Sequence, residues 1–291
     1  MKLLVIGAKG SIGKRRLGLL EQTSHDVRGI DVETLVTPRL LKGYDAAFIC
    51  TPPNTHSALG TACSDAGVPF FLEKPGATGL RDFMPLAVSV EKSKVINMIA
   101  CNLRFTNEYK YIQDSIANLG KLIYANAEFG YFLPFWRTGE YRTYYSAYKA
   151  AGGGIMMDAI HEFDYIFSLF GHPKLGKDFV SAHIQHTKEL DLEVEDSVNV
   201  MIGYQHGPDM IVHLDYLQRA YRRSFRAVGT KGALDVTFNV QGSDQMYRAE
   251  MKHFLDCVRK GEETINPVWK HQATLDFIDA LKDKAENKGD A

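Results

Sequence analysis

Cysteine is scarce in this chain: four residues in 291, at Cys50, Cys63, Cys101 and Cys257. None forms a C-x-x-C pair. The spacing therefore suggests neither a zinc site nor a disulfide framework, and free thiols in a reducing compartment are the expected state. An excess of one charge sign is also missing. Lys and Arg total 34 against 35 Asp and Glu, a net charge of −1, which argues against bulk electrostatic attraction to nucleic acid or anionic membrane and leaves only local patches. No apolar stretch reaches transmembrane length. The N-terminal MKLLVIGAKG has one lysine and an apolar run of four residues, too short for the apolar region of a signal peptide. These absences lead us to expect a cytoplasmic protein with neither a membrane nor a nucleic-acid partner.

What is present is ordinary globular composition, 45% hydrophobic and 24% charged. The length exceeds the roughly 100–200 residues of a typical single domain, so two domains are expected. Residues 2–6, KLLVI, form an apolar run followed by GAKGSIG and KRRLGLLEQ, in the order strand, glycine turn, helix. DVRGID (26–31), YDAAFICTPP (44–53), VPFFLEKP and VINMIAC read as further strands, with THSALGTACSDAG and LRDFMPLAVSVEKS as helices. Unbroken apolar runs suit parallel strands buried on both faces. Alternating strands and helices predict a doubly wound parallel sheet over the first hundred residues.

The pattern changes after about residue 104. TNEYKYIQDSIANLG reads as a helix stopped by Gly120, KLIYANAEFGYF as a strand and 152–170 as a second long helix. Segments rich in Val, Ile, Tyr and Phe from 178 to 240, separated by glycine turns, favour an antiparallel sheet. Helices near 244–260 and 267–286 close the chain, and the tail KDKAENKGDA is expected to fray. We therefore expect an α/β protein in two domains. A Rossmann domain with a doubly wound parallel sheet would occupy 1–103. An α+β domain with a large open, mainly antiparallel sheet would occupy 104–291, its last helices able to pack back on the first domain.

Three stretches carry chemistry. In GAKGSIG the glycines fall at 7, 10 and 13. Small residues let backbone N–H groups approach a pyrophosphate, and the following helix N-terminus adds partial positive charge. The spacing is G-x-x-G-x-x-G rather than G-x-G-x-x-G, with Ala8 in the first glycine position. Asp31, at the end of the second strand, is placed to accept a hydrogen bond from a ribose 2′-OH and to repel a 2′-phosphate, which favours NAD over NADP. Arg15 and Arg16 lie close enough in sequence to leave NADP open.

The second stretch is a pair of strand ends, TPPNTH (51–56) and EKP (73–75). Ligands of open parallel sheets sit at the carboxyl ends of strands. Lys74 precedes a proline and is held extended, so its ammonium is aimed. Beside a cationic nicotinamide its pKa would fall, which suits acid–base work on a hydroxyl. Glu73 would orient it or bind a ribose hydroxyl.

The third is GGGIMMDAIHEFDYIFSLFG (152–171). At about 100° per residue, Ile155, Met156, Ile160, Phe163, Ile166, Phe167 and Phe170 gather on one face, with Asp158, His161, Glu162 and Tyr165 on the other. Asp158 and His161, three apart, neighbour each other, and a histidine flanked by carboxylates is a proton shuttle near neutral pH. A solvated polar face is the competing reading. His161 with Glu162 or Asp164 is too few ligands for zinc, so no metal is expected. His183 and His186 fall on opposite faces of a strand and make no joint site.

Together with NLRF (102–105) and HLDYLQ (213–218), the stretches GAKGSIGKRR, ICTPPNTH, FFLEKP and GGGIMMDAIHEFD resemble the glucose–fructose oxidoreductase / inositol dehydrogenase / rhizopine catabolism (Gfo/Idh/MocA) family of NAD(P)-dependent oxidoreductases. The likeness spans nearly the whole chain. It implies hydride transfer between nicotinamide and a secondary hydroxyl or keto group of a sugar or sugar derivative. It also implies an open sheet that mediates a homodimer or homotetramer. By this resemblance Lys74 is the family's lysine, His161 its catalytic histidine and Asp158 a supporting acid. Many members place three residues between the acid and the histidine; here only Ala159 and Ile160 intervene. That short form, with FWRTGEYRTYYSAYKAAGGG (135–154), resembles a subgroup tied to bacterial surface-sugar (nonulosonic acid) biosynthesis.

The expected cofactor contacts are Gly7, Lys9, Gly10, Ser11, Ile12 and Gly13 in the turn, and Asp31. After the third strand come Cys50, Thr51, Pro52, Asn54 and His56, then Glu73 and Lys74, and Asn102. Substrate contacts are expected from Arg104, Trp136, Arg137, Tyr144, Tyr145, Asp158 and His161. Trp136 and the tyrosines would stack on a sugar ring, while Arg137, Arg142 and Lys149 would hold a carboxylate or phosphate. Two other functions fit the same residues: an NAD-dependent glycoside hydrolase working by transient oxidation, and a dinucleotide-binding regulator without turnover.

Overall fold

The first apolar run forms β1 (Lys2–Ile6), which ends at the glycine turn and leads into α1 (Ser11–Glu21). Then follow β2 (Asp26–Ile30), α2 (Pro38–Leu41), β3 (Ala46–Ile49), α3 (His56–Asp65), β4 (Phe70–Leu72), α4 (Leu80–Ser93) and β5 (Asn97–Ile99). The computed structural model describes residues 1–289, with only the backbone described for 285–289. All five strands are parallel, in the order β2-β1-β3-β4-β5. The chain reverses its winding direction between β1 and β3, and an open α/β sheet binds its ligand at such a point. Every residue of β3 and β4 is buried, as the unbroken apolar runs require of strands covered on both faces.

The chain divides into two compact units. Unit 1 comprises Met1–Asn102 and Asp244–Ala273, and unit 2 comprises Leu103–Ser243 and Thr274–Ala291. Within unit 1, α8 (Gln245–Lys260) sets Phe254 edge-on to Phe48 and Phe71, with ring centroids 5.4 and 5.8 Å apart. Offset and edge-to-face pairs of this kind add about 0.5–1.5 kcal/mol beyond their area. The last helix, α9 (Val268–Gly289), begins in unit 1 and ends in unit 2. The helix includes residues of the tail expected to fray, but the side chains from 285 on and residues 290–291 lie outside the described residues.

Unit 2 starts with α5 (Asn107–Ile116), capped by the Thr106 hydroxyl, which accepts from the Tyr109 N–H at 3.1 Å. β6 (Leu122–Gly130) is followed by a connection rich in 3₁₀ turns, then by α6 (Ile155–Asp158) and α7 (Ile160–Phe170). β7 (Phe179–Gln185), β8 (Ser197–Gly203), β9 (Asp209–Asp215), β10 (Arg222–Gly229) and β11 (Gly232–Thr237) complete a mixed sheet in the order β11-β10-β6-β9-β8-β7. Only β6 and β9 pair in parallel; the other neighbours are antiparallel. One face buries Ala125, Ala127, Val198, Val200, Ile202, Met210, Val212, Leu214, Phe225 and Ala227. It packs on α7, where Tyr165 and Phe170 lie 6.1 and 6.4 Å from Phe225. Full burial of such a side chain contributes roughly 1.5–3 kcal/mol. The opposite face carries Asn199, Met201, Ile211 and His213, which alternate with the buried set.

The single helix expected over 152–171 is interrupted. Ala159, at φ −95° and ψ 26°, separates α6 from α7. Alanine is a good helix former, and the apolar periodicity passes through the break unchanged. The Asp158 carboxylate at the break is held from outside the helix, and we attribute the interruption to those tertiary bonds. The polar side of this segment is not solvated: Asp158, His161, Glu162, Asp164 and Tyr165 are all buried.

Candidate active site

In unit 1 the strand register aligns the chain's candidate residues. Ile6 pairs with Ile49, Ile49 with Leu72, and Leu72 with Ile99. One residue further on lie Gly7, Cys50, Glu73 and Ala100. The ladder continues there, with Cys50 N–H donating to Ile6 O (2.8 Å), Glu73 N–H to Ile49 O (2.9 Å) and Ala100 N–H to Leu72 O (2.8 Å). The glycine turn, the TPPNTH stretch and the EKP stretch therefore leave the same edge of one sheet.

The turn fits a dinucleotide. Gly7 has φ +85°, and a Cβ on it would lie 2.8 Å from the Cys50 carbonyl. A Cβ on Gly13 would come within 2.0 Å of Gly7 O. Gly7 and Ala8 N–H groups donate to Ile30 O, and Gly10 N–H to Gly7 O. The first intrahelical bond of α1 comes from Lys14 N–H to Gly10 O, so the N–H groups of Ser11, Ile12 and Gly13 lie at the helix N-terminus, which attracts phosphate. Asp31 accepts from the Lys9 N–H at 2.7 Å and the Val32 N–H at 2.9 Å. These two backbone bonds hold its pKa below the ordinary carboxylate value. The acid proposed for the ribose is thus ionised and fixed against the turn. Lys9 Nζ pairs with Glu33, which raises the lysine pKa and lowers that of the glutamate. Arg16 is fully buried, and Arg15 pairs with Asp244 at 3.4 Å.

Around Lys74 the backbone is pinned. Lys74 is half-buried, and its peptide bond to Pro75 is cis. His56 is 1% exposed, its Nδ1 lying 2.7 Å from Pro75 O and its Nε2 2.7 Å from Thr51 O. Burial, the largest influence, lowers its pKa. His56 thus ties the TPPNTH stretch to the EKP stretch through their carbonyls. Thr51 accepts from the Thr55 hydroxyl at 2.7 Å, while Pro52 and Asn54 are exposed. Cys50 is buried, which pushes its thiol pKa up. Asn102 is also buried, and its side-chain oxygen has no hydrogen-bond partner among the described residues.

Unit 2 supplies a second cluster. The Asp158 carboxylate accepts from the Tyr216 hydroxyl at 2.7 Å through one oxygen and from the Tyr145 hydroxyl through the other. Burial first, and Asp158 second, push the Tyr216 pKa well above its ordinary value, so the phenol stays a donor. The Trp136 ring stands 5.3 Å from that of Tyr216. The Arg137 guanidinium lies over the rings of Tyr144 and Tyr145, at 5.3 and 5.6 Å. His161 follows Asp158 across the Ala159 break and is 7% exposed. Glu162, fully buried, forms a 2.7 Å ion pair with Arg223. Arg104 grips Asp164 with two bonds, Nε–Oδ2 at 2.8 Å and Nη2–Oδ1 at 2.7 Å.

Among the residues expected to hold an anion, Arg142 is already paired with Glu140 and Asp191, both at 3.0 Å. Tyr216, Glu250, His271 and the burial of Arg16 are not legible in the sequence. Each acts through a partner distant in the chain, and no local spacing reveals it. Among the described residues no group of three or more His, Cys, Asp or Glu is arranged to hold a metal. None of the described helices is long and apolar enough to cross a membrane.

A parallel sheet in this order, with a glycine turn after β1 and a fixed acid after β2, defines a dinucleotide-binding fold. Two family models match the chain: the oxidoreductase family with NAD-binding Rossmann fold over residues 21–101, and the GFO/IDH/MocA C-terminal domain over 111–235. Inositol 2-dehydrogenase 1 of Saccharopolyspora erythraea is 24% identical over 265 residues, covering 82% of this chain and 74% of that protein. Myo-inositol 2-dehydrogenase of Thermotoga maritima is 34% identical over 74 residues, a match spanning 25% of this chain and 22% of that enzyme's length. The WlbA dehydrogenase of Bordetella pertussis, solved with NADH and UDP-GlcNAcA, has a TM-score of 0.83 at 18% identity, over 99% of this chain and 97% of its own. The chain belongs to the Gfo/Idh/MocA oxidoreductase family.

Proposed function

We propose that the protein is an NAD-dependent dehydrogenase that moves hydride reversibly between nicotinamide and a secondary hydroxyl or keto group of a sugar or sugar derivative. The observation that carries this reading is the register of the parallel sheet. It brings the glycine turn and the Glu73–Lys74 pair off one edge, at the carboxyl ends of β1 and β4, with β3 between them. The relatives named as inositol dehydrogenases support a polyol-type substrate. A bound NAD would supply the hydride acceptor at C4 of its nicotinamide. Gly7, Gly10 and Gly13 would admit its pyrophosphate against the N-terminus of α1, and Asp31 would take a ribose hydroxyl. Lys74 and His161 would relay the hydroxyl proton, with Asp158 supporting His161. Arg104, Trp136, Arg137, Tyr144 and Tyr145 would contact the substrate.

Surface-sugar biosynthesis is the pathway class we favour, supported by the short Asp158–His161 spacing and the FWRTGEYRTYYSAYKAAGGG stretch. Four buried free thiols support a reducing, cytoplasmic setting. The polar and apolar residues on the uncovered face of the β6–β11 sheet, Met201 among them at 43% exposure, support a homodimer or homotetramer.

The test is nicotinamide absorbance with NAD and a panel of inositols, free sugars and nucleotide sugars, in wild type and in Lys74→Ala and His161→Ala. Stoichiometric NADH formation that falls by about 100-fold or more in each variant is expected of a lost proton-transfer group. Full turnover in Lys74→Ala would remove the relay. Glycoside cleavage without net NADH would replace the dehydrogenase by a hydrolase.

A further inference from the structure

The turn that carries Lys74 is held at three of its four residues by buried side chains of unit 1, one each from three helices. Glu73 Oε1 accepts from Arg16 of α1, at 2.8 Å from Nε and 2.7 Å from Nη2. Pro75 O meets His56 of α3 at 2.7 Å. Gly76 N–H donates to His271 Nε2 of α9 at 3.0 Å. Lys74 is the residue between them. Arg16 is itself oriented by a second carboxylate: its Nη2 donates to Glu250 Oε2 at 2.6 Å, and Glu250 Oε1 accepts from the Cys101 N–H at 2.5 Å, just past β5. The guanidinium is fully buried, 4.5 Å above the Phe71 ring and 5.0 Å from that of Tyr247.

A fully buried ion cluster is a poor way to add stability, because desolvation offsets the attraction and well-packed apolar side chains often do as well. What such a cluster does supply is a fixed geometry. This one also departs from charge balance, with two carboxylates on one guanidinium.

We propose that Arg16 is a positioning residue for Lys74, clamping the end of β4 to the helix of the glycine turn and setting the charge next to the lysine ammonium. This rests on the reading of Lys74 as the proton-relay group. The groups facing Arg16 are Glu73 from the turn, Cys50 from the end of β3, and Tyr247 and Glu250 from α8; on α1 itself, Arg15 shares the Tyr247 ring at 4.9 Å. His56 and His271 complete the titratable groups fixed to the turn. Burial pushes the Glu250 carboxyl up to about 7, against the pull of Arg16.

The experiment reads placement rather than turnover. Trace labelling of the full chain with acetic anhydride, quantified by mass spectrometry against exposed Lys42, gives the rate at Lys74 as a function of pH. In Arg16→Met, Glu73 next to the lysine loses its cation, so Lys74 becomes more basic. Its labelling at a fixed pH near 8 should fall about tenfold, one unit of profile shift. Arg16→Lys, which keeps the charge, should restore most of the rate. If Arg16→Met does not fold, Glu250→Gln reads the same linkage with the opposite sign: removing a carboxylate should speed Lys74 labelling. A Lys74 profile unchanged in folded Arg16→Met, or unchanged in Glu250→Gln, overturns the proposal. The two readings fail separately. An unmoved profile with an inactive Lys74→Ala removes the clamp and leaves the relay. A moved profile with a fully active Lys74→Ala removes the relay and leaves the clamp.

Discussion

The Tyr216 phenol donates a 2.7 Å hydrogen bond to the Asp158 carboxylate, 58 residues away in the chain, and both groups are buried. With Tyr145 on the other oxygen, the Asp158 side chain is held at both oxygens one helix break from His161. Tyr216→Phe removes one donor and leaves a buried carboxylate oxygen without it. The expected loss is about 1–3 kcal/mol of stability, read by denaturant unfolding. Turnover should fall as well, with NADH binding retained.

Glycine substitutions separate the cradle from the helix. Gly13→Ala places a Cβ 2.0 Å from the backbone Gly7 O, which no side-chain rotation can relieve, so NADH binding should be lost and the fold weakened. Gly18→Ala, five residues on in the same helix, meets nothing within 4 Å. It should stabilise the protein by roughly 0.5–1 kcal/mol through helix propensity and leave NADH affinity unchanged. Equal effects at the two positions would contradict the assigned cradle.

The His213–Asp215 pair gives a pH prediction. Its 2.9 Å hydrogen bond from Nε2 is the main cause that raises the His213 pKa. Burial by itself would raise Asp215, but bonds from His213, Gln218 and the Leu217 N–H outweigh it and lower that pKa. A raised histidine stabilises the fold fully below its unfolded value of 6.5, and the contribution is lost as pH rises through the folded pKa. The lowered Asp215 contributes above its unfolded value of 3.8 and is lost as pH falls through its folded one. Wild type should therefore exceed His213→Gln in thermal stability at pH 5.5 to 6 by about 1 kcal/mol or less, as partly exposed pairs do. The difference should shrink above pH 8. A difference that grows with pH would contradict the assignment.

Most of the first sheet was legible because parallel strands buried on both faces write themselves as unbroken apolar runs. β1 (Lys2–Ile6) and β3 (Ala46–Ile49) are the clearest cases. The glycine turn and Asp31 were legible for a similar reason: their spacing is local. The break at Ala159 was not, since nothing in its own segment disfavours a helix. Nor was the burial of the polar side of 155–165, because periodicity separates two faces without saying what covers them. Arg16 read as one of two basic residues near the turn. Its burial depends on Glu250, 234 residues away, in a helix that returns to unit 1 after the whole of the second sheet. Tyr145 and Tyr216 converge on Asp158 from segments 71 residues apart, and only the folded chain brings them together.

The most direct measurement is a fluorescence titration of the purified protein with NADH and, separately, with NADPH. The glycine cradle and ionised Asp31 predict saturable NADH binding, with NADPH weaker by about tenfold or more, as repulsion of about 1.4 kcal/mol between Asp31 and a 2′-phosphate would give. Saturable binding of neither dinucleotide would contradict the account at its base, and tighter binding of NADPH would contradict the role given to Asp31.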